Sequence, residues 1–550
     1  MYRAFLAIII SFLILVGYQY FFVKPTAQQP VPQEQVQQQD DRGTQHVVPP
    51  SVEQQSASLV VQDVEVDPAA RDIRIETPLY TAVINEQGGG FKSFVLKQFR
   101  KENEENSGYM ELVQTKLPTE LPMIFYPEND VNQVLPLYRA DKEKIILEEG
   151  SSKTSLTMTA AIAGQMELTR TLVFDPASYM IAVSYQLKNI TMNSVTASPA
   201  LSLANQPFAK ALKKASAVSR FMFSGPVAIV NGELSEVKGK KLDDGPQTLQ
   251  GDVSWAAYED NYFICAVIPG GGGSRIVRMN AVDDTVRTIV GEESVTLDPG
   301  AQKEFKYDVY FGPKKLSILN QVNYNLSKAI NFGFFDVLAK PMLWLLNFFH
   351  SLIGNYGIAI ILLTVLIKGV FWPITQKGMK SMKNMQKLQP KVAKLKEKYK
   401  DDAQKMNQEM MALYKTYKVN PLGGCLPMVL QIPFFFALYK VLLMSIELRH
   451  APFMLWINDL SAPDRLWLGF DIPYLHGIPV LTLLMGASMY LQQKMTPATA
   501  DPTQAKIMQM LPIIFTFMFL NFASGLVLYW FVNNLLSMLQ QQLINRQTRA

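Results

Sequence analysis

The sequence predicts a polytopic α-helical membrane protein that carries an all-β sandwich on one side of the bilayer. Three observations carry that prediction. Residues 356–375 form an apolar stretch interrupted by a single cation, Lys368. At a helical rise of about 1.5 Å per residue such a stretch spans roughly 30 Å, the hydrocarbon thickness of a bilayer. Residues 72–313 instead run in short β-branched or alternating segments separated by Gly/Pro clusters, as in Ile181-Ala182-Val183-Ser184-Tyr185-Gln186-Leu187, which is the pattern of a many-stranded sandwich. Finally, residues 376–418 hold twelve lysines against four carboxylates, a net of +8, and such an excess marks a cytoplasmic loop. With 48% hydrophobic residues and 550 positions, the chain is too apolar for an ordinary soluble protein and too long for one domain.

Taken in order, Arg3 precedes the apolar run 4–23, and Lys24-Pro25 follow it without a small-x-small cleavage pattern. Residues 1–24 therefore read as an uncleaved signal anchor with its N-terminus in the cytoplasm. Residues 25–68 are Gln- and Pro-rich and too poor in apolar groups to offset ordering entropy, which predicts a flexible linker. The β-sandwich domain is assigned to 69–320, on the export side. It shows no catalytic constellation. Trp255, Tyr258, Tyr262 and Phe263 suit a core better than a ligand cleft, and Gly270–Gly273 lacks the Lys-Ser/Thr continuation of a phosphate loop.

Residues 321–355 contain an apolar run broken by Asp336, Lys340 and Pro341 and rich in Phe and Trp, the composition of an amphipathic helix in the membrane interface. The span at 356–375 places Thr364 four residues before Lys368, hence on one helical face. An ionisable residue inside a span is a functional candidate; the competing reading is a lysine that snorkels toward the basic loop eight residues on. In 376–419, apolar residues stepping by three and four on either side of Lys400-Asp401-Asp402 predict an antiparallel helical hairpin, kinked at Pro390. Its lysines form a solvated face or a surface for anionic lipid or ribosomal RNA.

After the turn at 420–424, spans are predicted at 426–445, with Gln431 inside, and at 478–494, separated by an export-side loop of net charge −2. Residues 507–539 contain no Asp or Glu and would extend about 50 Å as one helix. They must turn, and Ala523-Ser524-Gly525 is the predicted place, giving short arms at 507–522 and 525–541 that would thin the bilayer. Six spans follow, with both termini and the 542–550 tail cytoplasmic. The two cysteines, Cys265 and Cys425, fall on opposite membrane sides, and the four histidines have no metal-ligand spacing.

With NPLGGCLP at 420–427, QKMTPATADPTQAKIMQMLPIIFTF at 493–517 and SGLVLYWFVNN at 524–534, the chain resembles the YidC/Oxa/Alb family of membrane protein insertases, in its Gram-negative form with a large periplasmic domain. The resemblance implies a five-helix core around a hydrophilic groove, open to cytoplasm and lipid and closed toward the periplasm. It implies a non-enzymatic insertase and chaperone of the inner membrane without cofactor or metal. Nascent inner-membrane proteins would be its substrates and a Sec-type translocon its partner. Ribosome and signal-recognition contacts would run through the hairpin, lipid would surround the core, and the oligomeric state would be a monomer or weak dimer. The family's groove cation, usually arginine, falls on Lys368, which keeps the charge but loses the bidentate fork. By the same matching Thr364, Gln431, Phe435, Tyr529, Trp530 and Asn533 become groove or substrate-contact positions. The tail after Arg546 is short for contacting ribosomes.

The residues give the same mechanism without the name. No Asp or Glu lies in the spans after Lys368, so its ammonium should sit in water and attract acidic groups in a substrate's polar tail. The rival readings are a secondary transporter, opposed by the lack of repeats and intramembrane carboxylates; a serine-lysine hydrolase using Lys368 with Ser524 or Ser537; and a scaffold in which Lys368 is dispensable.

Overall fold

The structure is a computed structural model that describes residues 67–547 except 105, 129–133, 209–222, 323, 401, 418, 420–425, 471, 474 and 496–501. The signal anchor, nearly all of the linker, the turn at 420–424 and Cys425 lie outside the described residues.

Residues Asp72–Glu76 through Gln302–Pro313 form a β-sheet-rich domain with a five-stranded sheet, a 13-stranded sheet and a two-stranded ribbon. Alternation in the sequence becomes alternation of burial. Met166–Phe174 buries every second residue while pairing antiparallel with both Thr154–Ile162 and Met180–Asn189, as a strand with one face on a core must. The smaller sheet is antiparallel except for one edge, where Asp72–Glu76 pairs in parallel with Lys144–Ile146. Its inner rings meet the larger sheet directly: Phe91 and Phe94 lie 5.4 and 5.2 Å from Phe311. Trp255, Tyr258 and Phe263 are buried in this core; Tyr262 is only partly buried. Cys265 is buried and unpaired.

The C-terminal region is helical: α1 Asp336–Ile353, α2 Tyr356–Lys387, α3 Gln389–Lys398, α4 Ala403–Thr416, α5 Leu426–Met444, α6 Val480–Met495, α7 Pro502–Phe519 and α8 Ser524–Gln547. By length and composition, Tyr356–Met385 within α2 is the one described segment apolar enough to cross a membrane; Leu430–Met444 and Met508–Phe519 are shorter apolar stretches. Apolar side chains such as Ile513, Ile514 and Phe517 on α7 and Val370 on α2 are exposed. α6 and α7 approach so closely that a Cβ on Gly486 would meet Thr516 Oγ1 at 2.1 Å. In α1, Val337, Trp344, Phe348 and Leu352 are exposed while Ala339, Met342, Leu343 and Leu346 are buried, so the helix is two-faced.

Three details differ from the sequence reading. The first hairpin arm is not one helix kinked at Pro390: α2 continues to Lys387, Leu388 breaks it, and Pro390 sits in the first turn of α3, where its missing N–H costs nothing. The turn before α8 lies at residues 520–523, and Ser524 and Gly525 open the helix instead of breaking it. The arms are also not short: α7 has 18 residues and α8 has 24, about 27 and 36 Å, because the helices run on into polar residues at either end.

The β domain and the helices share one continuous core. At the seam Arg449 donates to the carbonyls of Arg100 and Lys101 at 2.7 and 2.9 Å and lies over the ring of Phe263. Tyr262 Oη donates to the Leu443 carbonyl at 3.2 Å, and Phe335 stacks on Phe436.

Candidate functional site

Helical periodicity builds the polar cluster. On α8, Tyr529, Asn533 and Ser537 recur every fourth residue and share a face. That face meets Lys368 of α2 and Gln431 of α5. Lys368 is 8% exposed, and its Nζ donates to Ser537 Oγ at 2.7 Å and to Asn533 Oδ1 at 3.2 Å. Gln431 Nε2 donates to the same Asn533 Oδ1 at 2.9 Å and to Tyr529 Oη at 3.3 Å. Asn533 thus holds the lysine and the glutamine on one oxygen, which fixes its amide orientation.

Of the seven positions singled out in the sequence, four come together here: Lys368, Gln431, Tyr529 and Asn533. Thr364 lies on the same helix one turn away, but its hydroxyl donates to the Ile360 carbonyl and it is buried, the usual back-bonding of a helical threonine. Phe435 and Trp530 form a neighbouring apolar group, their rings 4.9 Å apart and nearly perpendicular, with Phe515 and Phe519 behind Trp530. Where the sequence reading placed the Lys368 ammonium in water, the structure buries the side chain and meets its Nζ with neutral oxygen acceptors. Among the described residues no carboxylate pairs with it.

Ser537 was legible in the sequence only as a possible nucleophile. The stripe 529–533–537 was the available signal for a different role. Here the serine hydroxyl donates to the Asn533 carbonyl at 2.7 Å while accepting from Lys368. A serine-lysine hydrolase needs the reverse, a neutral amine that takes the serine proton. The geometry suits the placing of a cation. Asn534, Ser488 and Gln540 extend the polar seam: Asn534 Nδ2 donates to Ser488 Oγ at 3.0 Å and Gln540 Nε2 to the Trp372 carbonyl at 3.2 Å.

The chain is similar to known proteins over its whole length. Residues 72–345 match the model of the YidC periplasmic domain, and residues 348–550 match the family of the 60Kd inner membrane protein. The membrane protein insertase YidC of Geobacter metallireducens is 40% identical over 558 residues, covering 100% of this chain and 99% of its own. That of Syntrophobacter fumaroxidans is 42% identical over 478 residues, covering 86% of each chain. A crystal structure of an active YidC insertase with its first transmembrane domain resolved is 19% identical, at a TM-score of 0.35 over 87% of this chain and 94% of that one. On the strength of the two domain matches and the full-length relatives, the chain belongs to the family of YidC membrane protein insertases.

Proposed function

We propose that this inner-membrane insertase works by drawing the polar tail of a nascent membrane protein into a positively charged groove centred on Lys368, and by releasing its apolar segment past Phe435 and Trp530 into lipid. The observation that carries the reading is the lysine bound, among the described residues, by Ser537 and Asn533 alone. Its charge is oriented but not neutralised, so its field acts on an incoming carboxylate, and the low dielectric around it strengthens that action. A tail that exchanges water for Lys368, Asn533, Gln431 and Tyr529 recovers part of its desolvation cost. Transfer of the apolar segment to hydrocarbon supplies the drive, at about 25 cal/mol per Å².

In this reading five core helices, α2 and α5 to α8, cross the membrane together with the predicted N-terminal anchor, and both termini are cytoplasmic. The lysine-rich α3–α4 hairpin then faces the cytoplasm, where it meets ribosomes, signal-recognition components and anionic lipid. The protein acts alone or with a Sec-type translocon, as a monomer or weak dimer. The hairpin is packed through Leu388, Val392, Met410 and Tyr414, and Lys391 lies over the Tyr417 ring, so its lysines are presented on a folded unit.

The test is protease-protected insertion, into liposomes holding the purified protein, of a single-span substrate with an acidic translocated tail. Lys368→Gln is expected to lower insertion about threefold, and Lys368→Glu, which reverses the field, at least about tenfold. Equal losses would defeat charge attraction, and no gain over empty liposomes would defeat autonomous insertion.

A further inference from the structure

The segment between α5 and α6 binds the ends of three helices. Its Phe453 sits so tightly on Gly357, near the start of α2, that a Cβ there would lie 1.9 Å from the ring, and the Phe453 carbonyl accepts from Asn355 Nδ2 at 2.8 Å. At the start of α8, Ser524 N–H donates to the Ala462 carbonyl at 2.7 Å, Gly525 N–H to Leu460 at 2.9 Å, and Ser524 Oγ to Asp459 at 2.8 Å. At the start of α6, Asp464 accepts the Thr482 N–H at 3.1 Å on one carboxylate oxygen and the Trp456 indole N–H at 2.6 Å on the other. That carboxylate is 2% exposed, and no cation pairs with it among the described residues; Arg465 turns instead to the Asp464 backbone carbonyl and to Asn521. Between these contacts lies a cavity of about 170 Å³ lined by Trp456, Asp459, Asp464, Arg465 and Ser524.

These bonds hold the segment over the end of the bundle, and Ile457 and Leu460 anchor it in the core, so opening the closure means breaking the polar contacts and lifting those two side chains together. Tyr529 and Asn533 lie five and nine residues into the same helix that the segment caps, about 7 and 14 Å below it. We propose that residues 456–465 are the export-side gate of the groove, latched by Asp464, and that the translocated polar tail leaves by displacing them. The proposal rests on the groove reading above and adds the exit to it.

Pro463 and Ala523 are bridge partners across the closure. The decisive experiment replaces both with cysteine in the full chain carrying Cys265→Ser and Cys425→Ser, and follows a substrate with a photo-crosslinker in its acidic tail. With the disulfide formed, protected insertion is expected to fall at least about tenfold and to recover on reduction, while the tail still crosslinks to α8. Equal insertion in the oxidised and reduced states overturns the gate. A tail that reaches α8 in neither state overturns the groove reading itself. As a second arm, Asp464→Asn is expected to speed labelling of Asn533→Cys by a membrane-impermeant maleimide added on the export side by about tenfold; an unchanged rate overturns the latch.

Discussion

The β domain and the helical region bury charge in opposite ways. In the β domain each of these buried charges meets an opposite one: Glu86 the exposed Arg71 and Arg139, Glu259 Lys314, Arg275 Glu292, and Arg287 Glu120. Arg170 is the exception there, fully buried over the Tyr185 ring and bonded to the Gly89 carbonyl. In the helical region Lys368 and Asp464 are also buried; the direct hydrogen-bond donors and acceptors on each are neutral among the described residues, and the one cation whose charge acts on Asp464 is the neighbouring Arg465, which bonds to its backbone carbonyl and not to its carboxylate. A paired charge is spent on architecture, because each partner cancels the other's field and fixes its position. A charge held by hydroxyls and amides keeps its field available to something transient, and both such groups lie along the proposed path of the substrate.

If that contrast is right, breaking a pair in the β domain damages stability first. Lys314 and Glu259 are 3.0 Å apart with side chains 4% and 3% exposed. Lys314→Met is expected to cost about 3–5 kcal/mol in unfolding of the full chain, and adding Glu259→Leu should recover most of it, because the loss comes from stranding one buried charge. Denaturant unfolding followed by the β signal in circular dichroism reads both; a double variant as weak as the single one would mean that the pair does more than neutralise.

Glu86 gives the next largest effect and a pH signature. Burial pushes its carboxyl up, but bonds from Arg71 and from the N–H groups of Ala140 and Arg71 outweigh that and hold it at about 2, below the ordinary 4.5. A carboxyl depressed on folding stabilises above its unfolded value and loses that contribution as pH falls toward its folded one. Glu86→Gln should therefore cost roughly 1.5–3 kcal/mol at neutral pH. The gap to the parent should close progressively between about pH 4.5 and 2. A gap of constant size in thermal melts across that range would show that the carboxylate's charge is not what matters.

What the sequence made legible follows from where the information sits. The strands of the β domain were legible because period-two burial is local, as in Met166–Phe174. The order of a 13-stranded sheet was not, because pairing Ala200–Asn205 with Thr285–Gly291 depends on contacts some 85 residues apart in the chain. Lys368 stood out because a cation in an apolar run is rare, and Asn533 and Tyr529 entered through resemblance. Ser537 did not join them, since its distance from Lys368 depends on how α2 and α8 are rotated and shifted against each other. Asp464 was one acid in a polar loop; only folding buries it against Trp456 and the start of α6. Helix ends were misjudged at residues 502 and 524 because Pro and Ser-Gly, which punctuate chains, also begin helices.

The smallest expected effect tests the contrast at its centre. Lys368→Arg keeps the positive charge and replaces a three-donor ammonium by a planar five-donor fork. Ser537 Oγ and Asn533 Oδ1, at 2.7 and 3.2 Å from Nζ, can both accept from such a fork. If the available field is what the substrate uses, insertion should stay within about twofold of the parent, because charge and depth are nearly unchanged. If recognition instead depends on bidentate pairing with a carboxylate, the arginine variant should insert acidic-tailed substrates better than the parent, and neutral-tailed ones no better. A loss as deep as that of Lys368→Gln would mean that the lysine is shaped to its two oxygens and serves to join α2 to α8; its charge would then be as architectural as those of the β domain.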